Sequence, residues 1–285
     1  MVTLFKNEVI YMAYRYKVSK DIIESVMNDL IQYSFIPKDS VFCYDTENTP
    51  DKNVYYNDYA LLDALGHYRS IETVEQVLVL LKEKGIVPED STYPLVLFEA
   101  FSYRVKNNFI VPWKSFTPTM ERLVYMLSWV KKPSKSIFIG INCGYSLAWV
   151  AGAFWKSETK HDHSVVYGVD INKPLLNIAN QNLKNLKLQA SVQIMNQDGY
   201  AALKQYPDEY FDLVFLDTRK NFGIMELIYK KLKKGGWLLI HNASDRHFEK
   251  EMRPFLEFVR DERHFSDSIL FDIDTKGLEL SIKSL

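Results

Sequence analysis

Apolar residues recur at helical spacing through the first part of the chain, which predicts a series of helices there. The polar segment 44–53 carries a proline and interrupts this pattern, so it predicts a linker or an exposed loop. Farther on, Ser70 and Gly85 bound an apolar stripe as the expected N-cap and C-terminal stop of one helix. We therefore predict a helical N-terminal region over residues 1–112. Its helices are expected over residues 4–16, 22–35, 70–85 and 93–106, and another helix opens near residue 116.

Strands and helices alternate after Pro133. Short apolar runs rich in branched and aromatic residues are each followed by an amphipathic helix, which is typical of a mainly parallel sheet covered by helices on both faces. One of the helices is expected to be interrupted or kinked at Pro254. The predicted parallel strands are "SIFIGI" from Ser136, "SVVYGVDI" from Ser164, "SVQIMNQD" from Ser191, "FDLVFLD" from Phe211 and "WLLIHNA" from Trp237.

The end of the chain has a different pattern. Two strand-like runs, "SDSILFDID" and "LELSIK", are separated by "TKG", which predicts an antiparallel hairpin. The predicted fold class of residues 113–285 is therefore α/β, with a doubly wound, mainly parallel seven-stranded sheet that ends in a C-terminal antiparallel hairpin.

The balance of positive and negative residues indicates which classes of binding partner to expect. The 35 lysine and arginine residues nearly equal the 36 aspartate and glutamate residues, so neither nucleic acid nor an anionic membrane is expected as a partner. No apolar run reaches membrane-spanning length, and the start lacks the pattern of a secretory signal. Cys43 and Cys143 form no metal-ligand spacing and suit a reducing compartment. We expect a cytoplasmic protein whose partner is a small molecule or a peptide.

A turn bracketed by Gly140 and Gly144 follows the first strand, in the segment "FIGINCGYS". In open parallel sheets, ligands bind outside the carboxyl ends of the strands, and this turn usually forms the floor of the site. A dinucleotide site needs a glycine where Asn142 stands, and no Gly-Lys-Ser or Gly-Lys-Thr follows to bind phosphates. Asp170 ends the second strand, where an acidic residue accepts hydrogen bonds from ribose hydroxyls. The pattern favours a nucleoside ligand without phosphates.

Five segments in this order resemble the class I S-adenosylmethionine-dependent methyltransferases: "FIGINCGYS", "GVDI", "NQDG", "FDLVFLD" and "LKKGGWLLI". The resemblance implies a Rossmann-like fold, S-adenosylmethionine as the cofactor and a methyltransferase activity. It places the methionine part of the cofactor at Gly140, Asn142, Gly144, Tyr145 and Ser146. It places the ribose at Asp170 beside Ile171, the adenine near Asp198 and Gly199, and Asp217 as an alternative contact to the amino group.

Phe138 departs from the family pattern, which has an acidic residue at this position to orient the methionine amino group. We expect Phe138 to pack in the core, with Asp217 compensating for the lost contact. A cofactor-binding partner subunit that does no chemistry is the alternative.

Two subfamilies of O-methyltransferases share features with the later motifs. "LDTRK", "LIHNA" and a late "GLE" resemble the catechol and caffeoyl-CoA O-methyltransferases, which hold a divalent ion between these segments. His241 replaces one of the metal-binding aspartates, which weakens a magnesium site because magnesium prefers oxygen ligands. The sequence therefore leaves open whether a divalent metal ion binds between these segments. The residues carried over from this subfamily are Asp217, Lys220, Asn242 and, less securely, Glu279.

The segment "FTPTM" resembles the active-site segment of the protein-isoaspartate O-methyltransferases, which methylate carboxylates, and places Thr117 beside the acceptor. A hydroxyl acceptor needs a base, for which His241 is suited, whereas a carboxylate acceptor needs none. The expected function is an S-adenosylmethionine-dependent O-methyltransferase that acts on a hydroxyl or carboxylate of a specialised metabolite or modified peptide. The N-terminal helices are expected to cap the acceptor or to form a homodimer, and His161–His163 to lie on the surface.

Overall fold

The computed structural model describes residues 70–110, 116–154, 164–218, 223–245, 248–274 and 276–285. Several predictions fall outside these ranges: the helices over 4–16 and 22–35, the loop over 44–53, the boundary between residues 112 and 113, the segment His161–His163, and Lys220.

Within the described ranges, seven strands form a single sheet. The strands are β1 (Lys135–Ile139), β2 (Val165–Asp170), β3 (Val192–Asn196), β4 (Phe211–Leu216), β5 (Leu232–His241), β6 (Phe265–Phe271) and β7 (Leu278–Lys283). Their order across the sheet is β3-β2-β1-β4-β5-β7-β6. The first five strands pair in parallel, and β7 pairs antiparallel with both β5 and β6. The predicted doubly wound sheet with a C-terminal antiparallel hairpin is confirmed.

Helices cover both faces of this sheet. They are α1 (70–83), α2 (Leu95–Asn108), α3 (Pro118–Lys131), α4 (Tyr145–Gly152), α5 (Lys173–Leu186), α6 (Gly199–Leu203), α7 (Gly223–Lys231) and α8 (Glu249–Val259). One apolar core joins α1 to α5 with one side of the sheet, and a second core joins α6, α7 and α8 with the other side. The strand order reverses between β1 and β4, so the carboxyl ends of these two strands mark the expected ligand-binding edge.

Local sequence explains where most of these helices begin and end. Thr117 caps α3 by accepting a hydrogen bond from the backbone of Met120 at 3.3 Å, and Pro118 occupies the first helical position. Asn172 caps α5 in the same way through the backbone of Leu175 at 3.2 Å. Gly85 follows α1 with a φ of 67°, as predicted for a C-terminal stop.

One local prediction is wrong, and another is wrong in part. Ser70 already lies within α1 and is buried, and its Oγ accepts a hydrogen bond from Nε of Arg122 at 2.7 Å instead of capping the helix. Helix α8 continues through Pro254, so the predicted interruption is wrong, while a kink at this residue stays a prediction. Proline leaves one carbonyl of the preceding turn without its helical partner, but Met252 and Phe255 on either side are buried against the sheet and hold the helix in place.

Candidate active site

The glycine turn after β1 is tightly fitted against the end of β4. Gly140 has a φ of 93°, and a Cβ atom at this position would lie 2.2 Å from the backbone oxygen of Asp217. Gly144 has a φ of 84°, and a Cβ there would lie 3.2 Å from the side chain of Ala179. Gly140 is required both for the left-handed conformation and for the close approach of Asp217, whereas Gly144 is favoured mainly by its left-handed conformation.

Asp170 connects the turn after β1 to the turn after β2. Its Oδ2 accepts a hydrogen bond from the backbone N–H of Asn142 at 2.8 Å, and its Oδ1 accepts one from Asn172 at 2.9 Å. Each carboxylate oxygen has a second lone pair, so these bonds leave acceptor capacity for two ribose hydroxyls. The side chain of Asn142 is used locally, because its Oδ1 accepts from the backbone of Cys143 at 2.7 Å.

A cavity of about 150 Å³ lies at the carboxyl ends of β1, β2 and β3. Asp198 lines it while also capping α6, since its Oδ1 accepts from the backbone of Tyr200 at 2.9 Å. Ile171 presents an apolar side chain that is 74% exposed. The cavity therefore brings together most of the residues predicted to bind the nucleoside and the glycine of the first turn: Gly140, Asp170, Ile171, Asp198 and Gly199.

Three of the residues predicted at the methionine end, Gly144, Tyr145 and Ser146, lie at the start of α4. Gly144 precedes the first turn of this helix, so the backbone N–H groups of Tyr145 and Ser146 belong to its N-terminus, where a carboxylate is favoured. The side chain of Tyr145 points away into the helical layer, where its hydroxyl donates to Glu121 at 2.5 Å. Cys143 in the same turn is buried, and burial raises the pKa of its thiol, so this cysteine is not an activated nucleophile.

Asp217, His241 and Asn242 meet at the carboxyl ends of β4 and β5. Oδ1 of Asp217 lies 3.0 Å from Nδ1 of His241 and accepts a hydrogen bond from Nδ2 of Asn242 at 3.2 Å. Among the described residues, no hydrogen bond involves Nε2 of His241. An ionised carboxylate only accepts hydrogen bonds, so this contact selects the tautomer with the proton on Nδ1 and leaves a lone pair on Nε2.

The same three side chains do not fit a magnesium site. Magnesium prefers six oxygen ligands, whereas the groups around Asp217 are an imidazole nitrogen and an amide nitrogen. Within the described ranges, no group of three or more histidine, cysteine, aspartate or glutamate side chains is arranged to hold a metal ion. Glu279 was the least secure of the predicted metal ligands. It is buried in β7, where its carboxylate accepts two hydrogen bonds of 2.9 Å from Arg260.

Phe138 packs in the core, as expected for its position in β1. It is 1% exposed, and its ring stacks on Phe215 with centroids 4.2 Å apart and planes 7° apart. The packing accounts for an apolar residue at this position. The predicted compensation by Asp217 stays a prediction, although Asp217 lies directly beside Gly140.

Thr117 lies close to this cluster but already has two partners. Its hydroxyl accepts from Met120 and donates to Asp274 at 3.0 Å. The capping role explains a threonine before a proline without any role in catalysis. Its neighbour Phe116, which the motifs did not single out, contacts His241 with ring centroids 4.9 Å apart. Only the position of Phe116 inside the "FTPTM" segment could have drawn attention to it.

Comparison with known proteins identifies the central part of the chain. Residues 137–243, which contain the glycine turn, the nucleoside cavity and the Asp217–His241 pair, match the family model described as a methyltransferase domain. These residues form a methyltransferase domain. The prediction of a methyltransferase with the class I fold is confirmed. No curated protein matches the chain at a significant level.

Solved methyltransferases have the same fold at low sequence identity. An O-methyltransferase from Bacillus cereus in complex with SAH is 20% identical, with a TM-score of 0.52 over 75% of this chain and 100% of that one. A methyltransferase from Podospora anserina, also bound to SAH, is 18% identical, with a TM-score of 0.51 over 75% of this chain and 96% of that one. About a quarter of this chain therefore has no counterpart in either neighbour. None of the helices described here has the length and apolar character required to cross a bilayer.

Proposed function

We propose that this protein is an S-adenosylmethionine-dependent O-methyltransferase whose acceptor is a hydroxyl group and whose general base is His241. The single observation that carries the proposal is the contact of 3.0 Å between Asp217 and His241, placed directly beside Gly140 of the glycine turn. S-Adenosylmethionine, when bound, supplies a methyl group on a sulfonium that is already a good leaving group.

The residues around the cavity are suited to hold this cofactor. Asp170 would accept hydrogen bonds from the ribose hydroxyls, and Ile171 and Asp198, which also line the cavity of about 150 Å³, would contact the adenine. The first turn of α4 would bind the methionine carboxylate through the N–H groups of Tyr145 and Ser146. The SAH bound to the Bacillus cereus and Podospora anserina neighbours supports this choice of cofactor.

His241 would remove the proton from the acceptor hydroxyl. Asp217 holds the proton on Nδ1, so Nε2 is the basic atom, and the carboxylate stabilises the positive charge that the imidazole acquires. General base catalysis of this kind typically contributes roughly 10²–10⁴-fold to the rate. Apart from this step, the protein needs mainly to align the acceptor oxygen with the methyl carbon and the sulfur.

The pair of Asp217 and His241 favours a hydroxyl over a carboxylate as the methyl acceptor. A carboxylate acceptor needs no base, and it would approach the negative charge of Asp217, which lies in the same cluster. Within the class of hydroxyl acceptors, we propose a specialised metabolite or a modified peptide. This choice rests on the predicted helical region over residues 1–112, which would serve as an acceptor cap or a dimer interface. The balanced charge and the spacing of the cysteines support a cytoplasmic location.

The first experiment is calorimetry with S-adenosylhomocysteine, followed by transfer of a labelled methyl group to catechol and then to related phenols and alcohols. Binding with transfer supports the proposal and eliminates a partner subunit that does no chemistry. Absence of binding would overturn the proposal, and transfer to carboxylates alone would overturn the hydroxyl acceptor.

Metal dependence is tested on the same assay by adding EDTA. We expect transfer to survive chelation, since His241 and not a metal ion activates the hydroxyl. Loss of transfer on chelation, with recovery on adding a divalent ion, would instead establish the metal-dependent catechol type of O-methyltransferase.

A further inference from the structure

We propose that a column of aromatic rings, formed by Phe138, Phe215 and Phe116, fixes the orientation of the His241 imidazole. The inference rests on the proposed role of His241 as the base. It assigns Phe116 and Phe138 as positioning residues. It also connects two places where the sequence departs from the family pattern, since Phe138 and His241 each stand where an acidic residue is expected.

The strands place two members of the column, and His241, on one side of the sheet. Phe138 in β1 is the register partner of Phe215 in β4, and Phe215 is the register partner of Leu239 in β5. His241 follows Leu239 by two residues, so its side chain leaves β5 on the same face. Phe116, which precedes α3, approaches this face from the helical layer.

The rings contact one another in sequence. Phe138 stacks on Phe215 at 4.2 Å, and the Phe215 and Phe116 centroids are 6.3 Å apart with planes 33° apart. The ring of Phe116 meets that of His241 at 4.9 Å and 69°, in an edge-to-face arrangement. Phe138 and Phe215 are each 1% exposed, and Phe116 and His241 are each 7% exposed. Such buried aromatic pairs have preferred geometries, so a change at one ring is felt by the next.

The column supplies a constraint that Asp217 does not. The contact between Asp217 and Nδ1 fixes one atom of the imidazole, but the ring can still swing about that point. The edge-to-face contact with Phe116 restricts the plane of the ring as well. Together the two contacts fix the direction of the lone pair on Nε2, which decides whether the base can reach an acceptor hydroxyl.

An acidic residue at position 138 would weaken this arrangement. Its carboxylate would be buried against Phe215, without the stacking partner that supports Phe116. The aromatic residue at position 138 is therefore part of the device that positions His241. Both departures from the family pattern therefore concern the same imidazole, because His241 supplies it and Phe138 helps to position it.

The test measures the imidazole itself, so its result does not depend on detecting methyl transfer. Nuclear magnetic resonance of the histidine ring nitrogens in full-length protein with SAH would follow the Nδ1–H proton of His241, assigned by its loss in His241→Ala. Phe116→Leu removes the ring that touches the imidazole. Phe265→Leu is the matched control, because Phe265 is also buried, at 2% exposure, but in the core on the opposite side of the sheet.

We expect Phe116→Leu to speed exchange of this proton with water by roughly tenfold or more, because the ring can then open away from Asp217. Phe116→Tyr, which retains the ring, and the control Phe265→Leu should exchange like the wild type. Equal exchange in Phe116→Leu and Phe265→Leu would overturn the positioning role.

If Phe116→Leu does not fold, Phe138→Leu is the second variant. A smaller increase in the exchange rate is expected for it, because its effect passes through Phe215. Wild-type exchange in Phe138→Leu would overturn the role of Phe138. An inactive wild type with the expected exchange pattern would overturn the proposed function alone.

Discussion

Asp217 at the end of β4 and His241 at the end of β5 form a contact of 3.0 Å between a carboxylate oxygen and Nδ1 of the imidazole. The two strands are parallel neighbours in the sheet, so their carboxyl ends bring both side chains to one edge. The backbone of Asp217 also lies against Gly140, which places this pair beside the turn predicted to hold the cofactor. The contact joins the candidate base to the cofactor site through a single residue.

Replacing the imidazole tests the base directly. We expect His241→Ala to lower kcat by roughly 10²–10⁴-fold, because the hydroxyl loses its proton acceptor. The Kd for SAH should change little, since His241 does not line the cavity of about 150 Å³. Labelled methyl transfer and calorimetry measure the two quantities. His264→Ala is a suitable control, because His264 contacts Asp261 in the turn between α8 and β6. Unchanged turnover in His241→Ala would rule out the base role.

Removing the carboxylate of Asp170 should weaken SAH binding by more than tenfold. Asp170→Ala removes both the acceptor for the ribose hydroxyls and the contacts that hold Asn142 and Asn172. Losing hydrogen bonds to a charged group costs roughly 1.5–3 kcal/mol. Asp170→Asn keeps one oxygen and should lose less affinity. Calorimetry measures both variants, and equal affinity of Asp170→Ala and the wild type would contradict the assignment of this cavity to the ribose.

Adding one methyl group at Gly140 should disrupt the site. The added Cβ would lie 2.2 Å from the backbone oxygen of Asp217, so the turn or the end of β4 must move. Gly85→Ala is the control, because Gly85 also has a positive φ of 67° but nothing lies within 4 Å of an added Cβ. We expect roughly 1–2 kcal/mol of destabilisation at Gly85 from the left-handed conformation alone, and more at Gly140. Thermal unfolding of both variants measures the difference. Equal unfolding temperatures would argue against the tight contact.

Glu279→Gln separates a structural role from the predicted metal-binding role. The carboxylate is buried and binds the partly exposed Arg260 through two hydrogen bonds, so its neutralisation should reduce the free energy of unfolding by roughly 1–3 kcal/mol. Turnover per folded molecule should stay close to that of the wild type. A folded variant that loses turnover and regains it with excess divalent ion would restore Glu279 as a ligand.

The parts of the fold that follow from local sequence were predictable. Alternating apolar strands and amphipathic helices specify the parallel sheet, and the glycines at 140 and 144 mark the turn after β1 because few other residues adopt its conformation. "TKG" between two strand-like runs specified the hairpin. Each of these signals involves residues that are close together in the sequence, so it can be recognised without knowledge of the fold.

Contacts between distant segments were not predictable in the same way. Ser70 has the residue type of an N-cap, but its hydroxyl is used by Arg122, 52 positions later. Phe116 contacts His241 because α3 and β5 meet in space, and nothing in either local segment records this meeting. The partner of Glu279 is likewise set by how α8 lies on β7. Such pairs depend on the packing of whole elements, which periodicity does not encode.

The double contact of Asp170 makes one carboxylate a mechanical link between the two ends of the proposed cofactor site. It holds Asn142, in the turn at the methionine end, and Asn172, at the start of α5 beside the nucleoside cavity. A ligand that orders one of these segments therefore orders the other as well. Adenosine and methionine, supplied as separate molecules, should bind with positive cooperativity, and by reciprocity each should raise the affinity for the other by the same factor. Replacing Asp170 with alanine should make their binding independent.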